Sequence, residues 1–287
     1  MYAVTGITGQ VGSVVAENLL KQGHQVRAVV RDVNKGKAWS DRGCEIARAT
    51  FEDATSLAAA FRGAEGVFVL VPPNFDPLQD FPEAQAIGGK LRTALAEANP
   101  AHVVYLSTIG AQATEPNLLT QHSIIEKIIG CLPIPITFLR PGWFMENCNW
   151  DVRPAREQGV IPSFLQPLDK PVPMVATADI GRVAAELLQE TWSGHRVAEL
   201  EGPERVTPNK IAATFAQLLG RPVRMKAVPR ETWEPLFTSQ GMKNPMPRIR
   251  MLDGFNEGWI EFERGEAGSQ KGNVALEAVL KALIERK

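Results

Sequence analysis

Tyrosine is almost missing from this chain: 287 residues hold only Tyr2 and Tyr105. Cysteine is nearly as scarce. Cys44, Cys131 and Cys148 form neither a CxxC pair nor a disulfide framework, so they read as packed thiols in a reducing cytosol. No His/Cys/Glu cluster has metal-ligand spacing and no GxSxG nucleophile turn occurs, so neither a metal centre nor a serine hydrolase is expected. No apolar run approaches the ~20 residues of a membrane span. The N-terminus lacks a basic, then apolar, leader and starts directly as a strand, so a cytoplasmic protein is expected. Lys and Arg number 31 against 32 Asp and Glu, a net charge of −1 with no basic run. Nucleic acid and membrane surfaces are therefore not expected as partners.

What remains is an ordinary globular composition, 44% hydrophobic and 22% charged. A short apolar run at 2–5 leads into GITGQVG, and Val11, Val15 and Leu19 then recur at helical spacing up to Gly23. A second strand follows at 25–31, completing a βαβ opening. The alternation continues with strands near 44–47, 66–71, 103–107 and 136–139, separated by helices. This pattern predicts an α/β fold, a Rossmann doubly wound parallel sheet covered on both faces. Beyond Trp143 prolines crowd the chain and the alternation fades. The expected division is a dinucleotide-binding domain over 1–150 and a smaller α+β substrate domain over 151–287. A helix is expected over 179–190 with Asp179 as its N-cap, and His195 in a surface turn. Thr207 and Pro208 open another helix, which ends at Gly220. The segment 235–272, rich in Gly, Pro and Asn, reads as a flap over a site.

Gly6, Gly9 and Gly12 stand at G-x-x-G-x-x-G spacing between the first strand and the first helix. Glycines there let the chain turn sharply and bring backbone N–H groups, backed by the helix dipole, against a pyrophosphate. Thr8, Gln10 and Val11 share the loop and helix start and are assigned to the same contact. Gly12 also lets helix and strand pack closely. The second strand ends in Arg31, nineteen residues after Gly12, with Asp32 next. Arginine at that tip favours a 2′-phosphate, so NADP(H) is the preferred cofactor, and Asp32 keeps NAD(H) open.

The segments TGITGQVG, AVVRD, GVFVLVPP, VVYLSTIGA, TFLRPGWFMEN, ATADIGRVAAELL, ELEGPERVTPNKIA and GRPV follow in the order found in the NmrA-like family. The chain resembles this atypical branch of the short-chain dehydrogenases/reductases over about 2–262. The resemblance implies a Rossmann domain with the nicotinamide between it and a smaller domain, and a segment 175–192 that packs back. It also implies cofactor contacts by Val71 and Pro72 after the fourth strand, and by Pro141, Gly142 and Trp143 after the sixth. Thr50 falls where the family often places an adenine-binding Asp, with Asp53 three residues late.

Typical members of the wider superfamily protonate a carbonyl through a Tyr followed four residues later by Lys. No YxxxK occurs here, and neither tyrosine fits that role. The resemblance instead places His122 at the active helix, in a QHxxxE pattern like that of quinone and dye reductases, with Glu126 four residues on to orient the imidazole. His122, Glu126 and Ser107 are the catalytic candidates. Thr108 and His122 are also assigned to the cofactor, and Trp143, Phe144 and Asn147 to an aromatic or quinoid substrate. The expected reaction is hydride transfer from NAD(P)H to a quinone, dye or similar conjugated acceptor. The alternative is a non-catalytic NADP(H)-sensing regulator. A homodimer is compatible with either.

Overall fold

Every residue of the strands YAVT, VRAVV, GVFV and HVVYL is buried, as expected for a parallel sheet covered on both faces. The computed structural model describes residues 1–286. Its strands begin with β1 (Tyr2–Thr5), β2 (Val26–Val30), β3 (Glu45–Arg48), β4 (Gly66–Val69), β5 (His102–Leu106) and β6 (Ile136–Pro141). They continue with β7 (Trp143–Phe144), β8 (Val160–Ser163), β9 (Met174–Val175), β10 (His195–Glu201), β11 (Arg224–Ala227) and β12 (Gln270–Lys271). The helices of the first half are α1 (Gln10–Lys21), α2 (Lys37–Ser40), α3 (Ala54–Phe61), α4 (Pro82–Ala98) and α5 (Thr120–Ile129). Then come α6 (Val152–Glu157), α7 (Thr177–Leu187), α8 (Pro208–Leu219) and α9 (Trp233–Ser239). The last three are α10 (Met246–Glu257), α11 (Gly265–Gly268) and α12 (Leu276–Glu285).

The main sheet has eight strands in the order β12-β10-β6-β5-β4-β1-β2-β3, and every neighbouring pair is parallel. The direction of winding reverses between β1 and β4. A crevice opens there at the strands' carboxyl ends, where such sheets bind ligands. Helices α1 and α7 cover one face over Val4, Ala28 and Phe68; α3, α4 and α5 cover the other over Val67, Val103 and Phe138. A third cluster around Phe215, Trp233, Phe237 and Leu280 forms the core of the smaller C-terminal layer.

The C-terminal half returns to the sheet over more than 175–192. Helix α7 lies against α1 so closely that a Cβ on Gly181 would stand 2.5 Å from Val14 Cβ. Strand β10 then pairs with β6 from His195 to Leu200, and β12 joins β10. His195 therefore begins a strand and does not sit in a turn. Thr207 caps α8 by accepting from the Lys210 N–H, and Gly220 ends it at φ +63°, as anticipated.

Two other expectations are corrected. Asp179 is not an N-cap: Ala176 holds that position, and Asp179 lies inside the first turn of α7. Its buried carboxylate accepts from the N–H groups of Asn273 and Val274 and pairs with Arg182. The region 235–272 is largely helical, with Ile249, Leu252 and Phe255 of α10 buried in the C-terminal core. Its prolines 245 and 247 sit at the helix start, where a missing N–H costs nothing.

Candidate functional site: the crevice at the sheet reversal

A cavity of about 760 Å³ opens over the carboxyl ends of β1, β2 and β4. Its floor is the turn after β1. Gly6 takes φ +63°, a conformation glycine adopts without a Cβ penalty. The Gly9 N–H donates to Gly6 O at 2.9 Å, closing the turn. A Cβ on Gly12 would lie 2.3 Å from Gly6 O, so helix and turn touch through backbone alone. Gly9 is the N-cap of α1 and offers no side chain, and the first turn carries no acidic residue. The N–H groups of Gln10, Val11 and Gly12 therefore lack intrahelical partners and meet the crevice with the helix dipole behind them. Across the crevice, the Leu70 N–H donates to Thr5 Oγ1 at 2.7 Å and ties the end of β4 to β1.

At one end of the cavity stand Arg31, Asp32 and Lys35, all exposed. The Asp32 carboxylate already accepts from the Asn34 N–H at 2.9 Å, as cap of the short turn Val33–Gly36. The tip of β2 thus presents two cations, while its aspartate is engaged by its own backbone. Ala49, Thr50, Phe51, Leu57 and Ile87 form an adjoining, mostly apolar wall. Asp53 is absent from this wall: it caps α3 through the Thr55 N–H at 3.0 Å.

The opposite end is lined by Phe144, Glu146, Asn147 and Thr177. Glu146 accepts from both the N–H and the hydroxyl of Thr177, at 2.9 and 2.6 Å. This clasp fixes the loop after β6 to the start of α7. Glu146 and Thr177 lie in the segments TFLRPGWFMEN and ATADIGRVAAELL that carry the family resemblance, but no spacing along the chain shows that they meet at the site. Lys35, Phe51 and Ile87 were likewise not anticipated.

Of the anticipated residues, the cavity gathers Gly6, Thr8, Gly9, Gln10, Val11, Arg31, Thr50, Pro72, Phe144 and Asn147. Gly12 lies beneath it. Val71, Ser107, Thr108, His122, Glu126, Pro141, Gly142 and Trp143 do not line it. A Cβ on Gly142 would stand 2.5 Å from Pro173 O, so this glycine serves a backbone crossing. Trp143 packs edge-on against Phe255, with ring centroids 5.1 Å apart.

The pairing of Glu126 with His122 is overturned. Buried Glu126 holds buried Arg140 in a two-pronged bond, Nε to Oε1 at 3.0 Å and Nη2 to Oε2 at 2.6 Å, and Glu263 adds a third contact at 3.0 Å. His122 Nδ1 instead meets the Tyr105 hydroxyl at 2.9 Å. Burial pushes the His122 imidazole down to about 4, so it is neutral at physiological pH. Ser107, at the end of β5, has a buried Oγ with no hydrogen-bond partner among the described residues. Buried hydroxyls are rarely left so; a ligand, ion or ordered water usually completes them.

The sequence model of the NmrA-like family matches residues 2–262. The chain belongs to this family. It is 29% identical over 264 residues to an NAD(P)H azoreductase of Xenophilus azovorans, covering 90% of this chain and 85% of that protein. It is 27% identical to quinone oxidoreductase 2 of Escherichia coli, covering 84% and 82%. The crystal structure of the E. coli NADPH-dependent quinone oxidoreductase in complex with NADPH superposes with a TM-score of 0.83 at 24% identity, over 99% of this chain and all of that one. The Citrobacter triphenylmethane reductase also gives 0.83, at 23% identity over 99% of each chain. These likenesses establish the Rossmann-like fold.

Proposed function

We propose that this NmrA-like protein is an NADPH-dependent reductase of quinones, dyes or similar flat conjugated acceptors. One observation carries the cofactor half: a side-chain-free cradle at the α1 N-terminus, with Arg31 and Lys35 at the far end and Asp32 occupied as a cap. The relatives named azoreductase and quinone oxidoreductase support the acceptor half.

The residues present fit the dinucleotide. The N–H groups at the start of α1 would hold the diphosphate, Phe51 and Ile87 would flank the adenine with Thr50, and Arg31 with Lys35 would pair with the 2′-phosphate. Ser107 Oγ, orphaned in the protein alone, would complete its bonding at the nicotinamide end. When bound, the reduced nicotinamide supplies the hydride. The chain's own task is to position: the Glu146–Thr177 clasp fixes the loop that carries Phe144 and Asn147, which would present one wall to a planar acceptor. Conjugated acceptors need stacking and orientation more than a strong acid, which accommodates the missing YxxxK. The three thiols are unpaired, and the cytosol is the proposed setting.

The test is NADPH oxidation against a panel of quinones, azo dyes and triphenylmethane dyes. Turnover well above the uncatalysed rate with at least one acceptor class is expected. Tight NADPH binding with no acceptor raising the rate overturns the reading in favour of a cofactor sensor.

A further inference from the structure

Tyr105 is wholly buried in β5, where its ring packs edge-on against Phe138 at 6.3 Å. Its backbone is fixed on both sides, in register with Val69 of β4 and Phe138 of β6. The hydroxyl reaches out of this packing to one partner, His122 Nδ1, at 2.9 Å. His122 in turn stands in the first turn of α5, which is tied to the carboxyl edge of the sheet. Gln121 Nε2 donates to Asn74 O in the loop after β4, and Ser123 Oγ donates to Ala111 O in the loop after β5. Both groups of the Tyr105–His122 bond are thus held by independent elements, and Tyr105 stands two residues before orphaned Ser107 at the same strand end.

The direction of the bond follows from what each group can give. Burial and the negative charge of Glu126 raise the Tyr105 hydroxyl well above its usual range, so the phenol keeps its proton. Nδ1 is the one hydrogen-bond partner the described residues give this buried O–H, and a buried donor left unmade is costly, so the phenol donates and Nδ1 accepts with its lone pair. A neutral imidazole that accepts at Nδ1 carries its proton on Nε2. Nε2 has no hydrogen-bond partner among the described residues, and Glu126 is engaged with Arg140.

We propose that Tyr105 is a positioning residue that locks His122 in its Nε2–H form, so that this N–H donates a hydrogen bond to the acceptor atom gaining electron density during reduction. The inference rests on the reductase reading above. A neutral imidazole N–H is a serviceable electrophile of this kind. The pair gives up no proton. A quinone gains a hydride from the reduced nicotinamide and a proton from water, a cationic triphenylmethane dye gains the hydride alone, and in both the phenolic O–H and the Nε2–H bonds stay intact. The tyrosine thus acts through a histidine and never touches substrate.

The experiment is ¹⁵N NMR of histidine-labelled full-length protein saturated with NADPH, the His122 signals being assigned by their loss in His122→Ala. The wild type should show Nε2 protonated and Nδ1 bare, and Tyr105→Phe should convert this to a mixture of tautomers. In steady state Tyr105→Phe should lower kcat by about 3- to 10-fold, the worth of one hydrogen bond, with KM for NADPH unchanged. Tyr105→Phe/His122→Ala should be no slower than His122→Ala. A wild-type His122 protonated at Nδ1 overturns the proposal even if Tyr105→Phe fails to fold. So does a Tyr105→Phe protein with wild-type tautomer and kcat, or a His122→Ala protein at full rate. Absence of turnover in the wild type is a separate failure, that of the reductase reading, and leaves the NMR result to decide the pair.

Discussion

Gly12→Ala is the sharpest perturbation of the cofactor cradle, because its cost can be worked from three contacts. The added Cβ would stand 2.3 Å from Gly6 O, 2.5 Å from Gly6 C and 2.8 Å from Ile7 N. All three are backbone atoms, so no rotamer change relieves them. Carbon–oxygen contacts relax near ~3.3 Å, so the turn must retreat from α1 by about 1 Å. Overpacking of this kind costs about 1–3 kcal/mol, which lowers Tm by roughly 2–10 °C for a chain of this size. The same retreat moves the N–H groups off the diphosphate, and NADPH affinity should fall about 10-fold or more. Gly9→Ala separates the two effects. Its Cβ would lie 3.2 Å from Gly6 O at an ordinary φ of −100°, so Tm should fall only by the equivalent of roughly 1 kcal/mol, the cost of Ala at an N-cap, less than in Gly12→Ala, while affinity falls. Gly89→Ala, inside α4 with nothing within 4 Å, should gain up to ~1 kcal/mol and leave affinity alone. Thermal denaturation and fluorescence titration with NADPH read all three. A Gly12→Ala protein with wild-type Tm and Kd would refute the reasoning.

Arg31→Ala and Lys35→Ala should each weaken NADPH about 10-fold while changing NADH little, because only NADPH carries the 2′-phosphate these cations would pair with; equal losses for both cofactors would remove the two cations from that role. Glu126→Gln should destabilise by about 3 kcal/mol, the low end for opening a buried pair, since Glu263 still neutralises Arg140. Its kcat at a temperature well below Tm should match wild type, and a selective loss of kcat would reinstate Glu126 as the partner of His122. The His122 imidazole, lowered from 6.5 to about 4 by burial, gives a definite pH signature. Between these values the unfolded chain binds the extra proton, so this residue's contribution is full above pH 6.5 and is lost as pH falls towards 4. In the folded protein the His122 ¹⁵N signals should stay those of a neutral ring down to about pH 5, and a titration midpoint near 6.5 would contradict the burial.

The parts of this molecule legible in the sequence are those whose constraint is local. A strand buried on both faces must be apolar throughout, so YAVT and GVFV announce themselves, and a helix touching a turn through backbone leaves glycines at 6, 9 and 12. The parts that were illegible are those where a local partner loses to a distant one. The four-residue spacing of His122 and Glu126 places both on one helical face, which is why they look like a pair. Yet the buried carboxylate meets Arg140 of β6 in a two-pronged ionic bond, far stronger than an i, i+4 contact to a neutral ring. Asp179 likewise looks like a cap, because caps are usually local, but Glu146 reaches Thr177 from 31 residues away and frees Asp179 for the loop at 273–274. Tyr105 is the instructive case. Read as the acid of a YxxxK pair, it is disqualified by lying in a strand. The strand location is what buries it, holds its proton and aims its hydroxyl at His122, a function defined by where β5 stands beneath α5 and carried by no spacing along the chain.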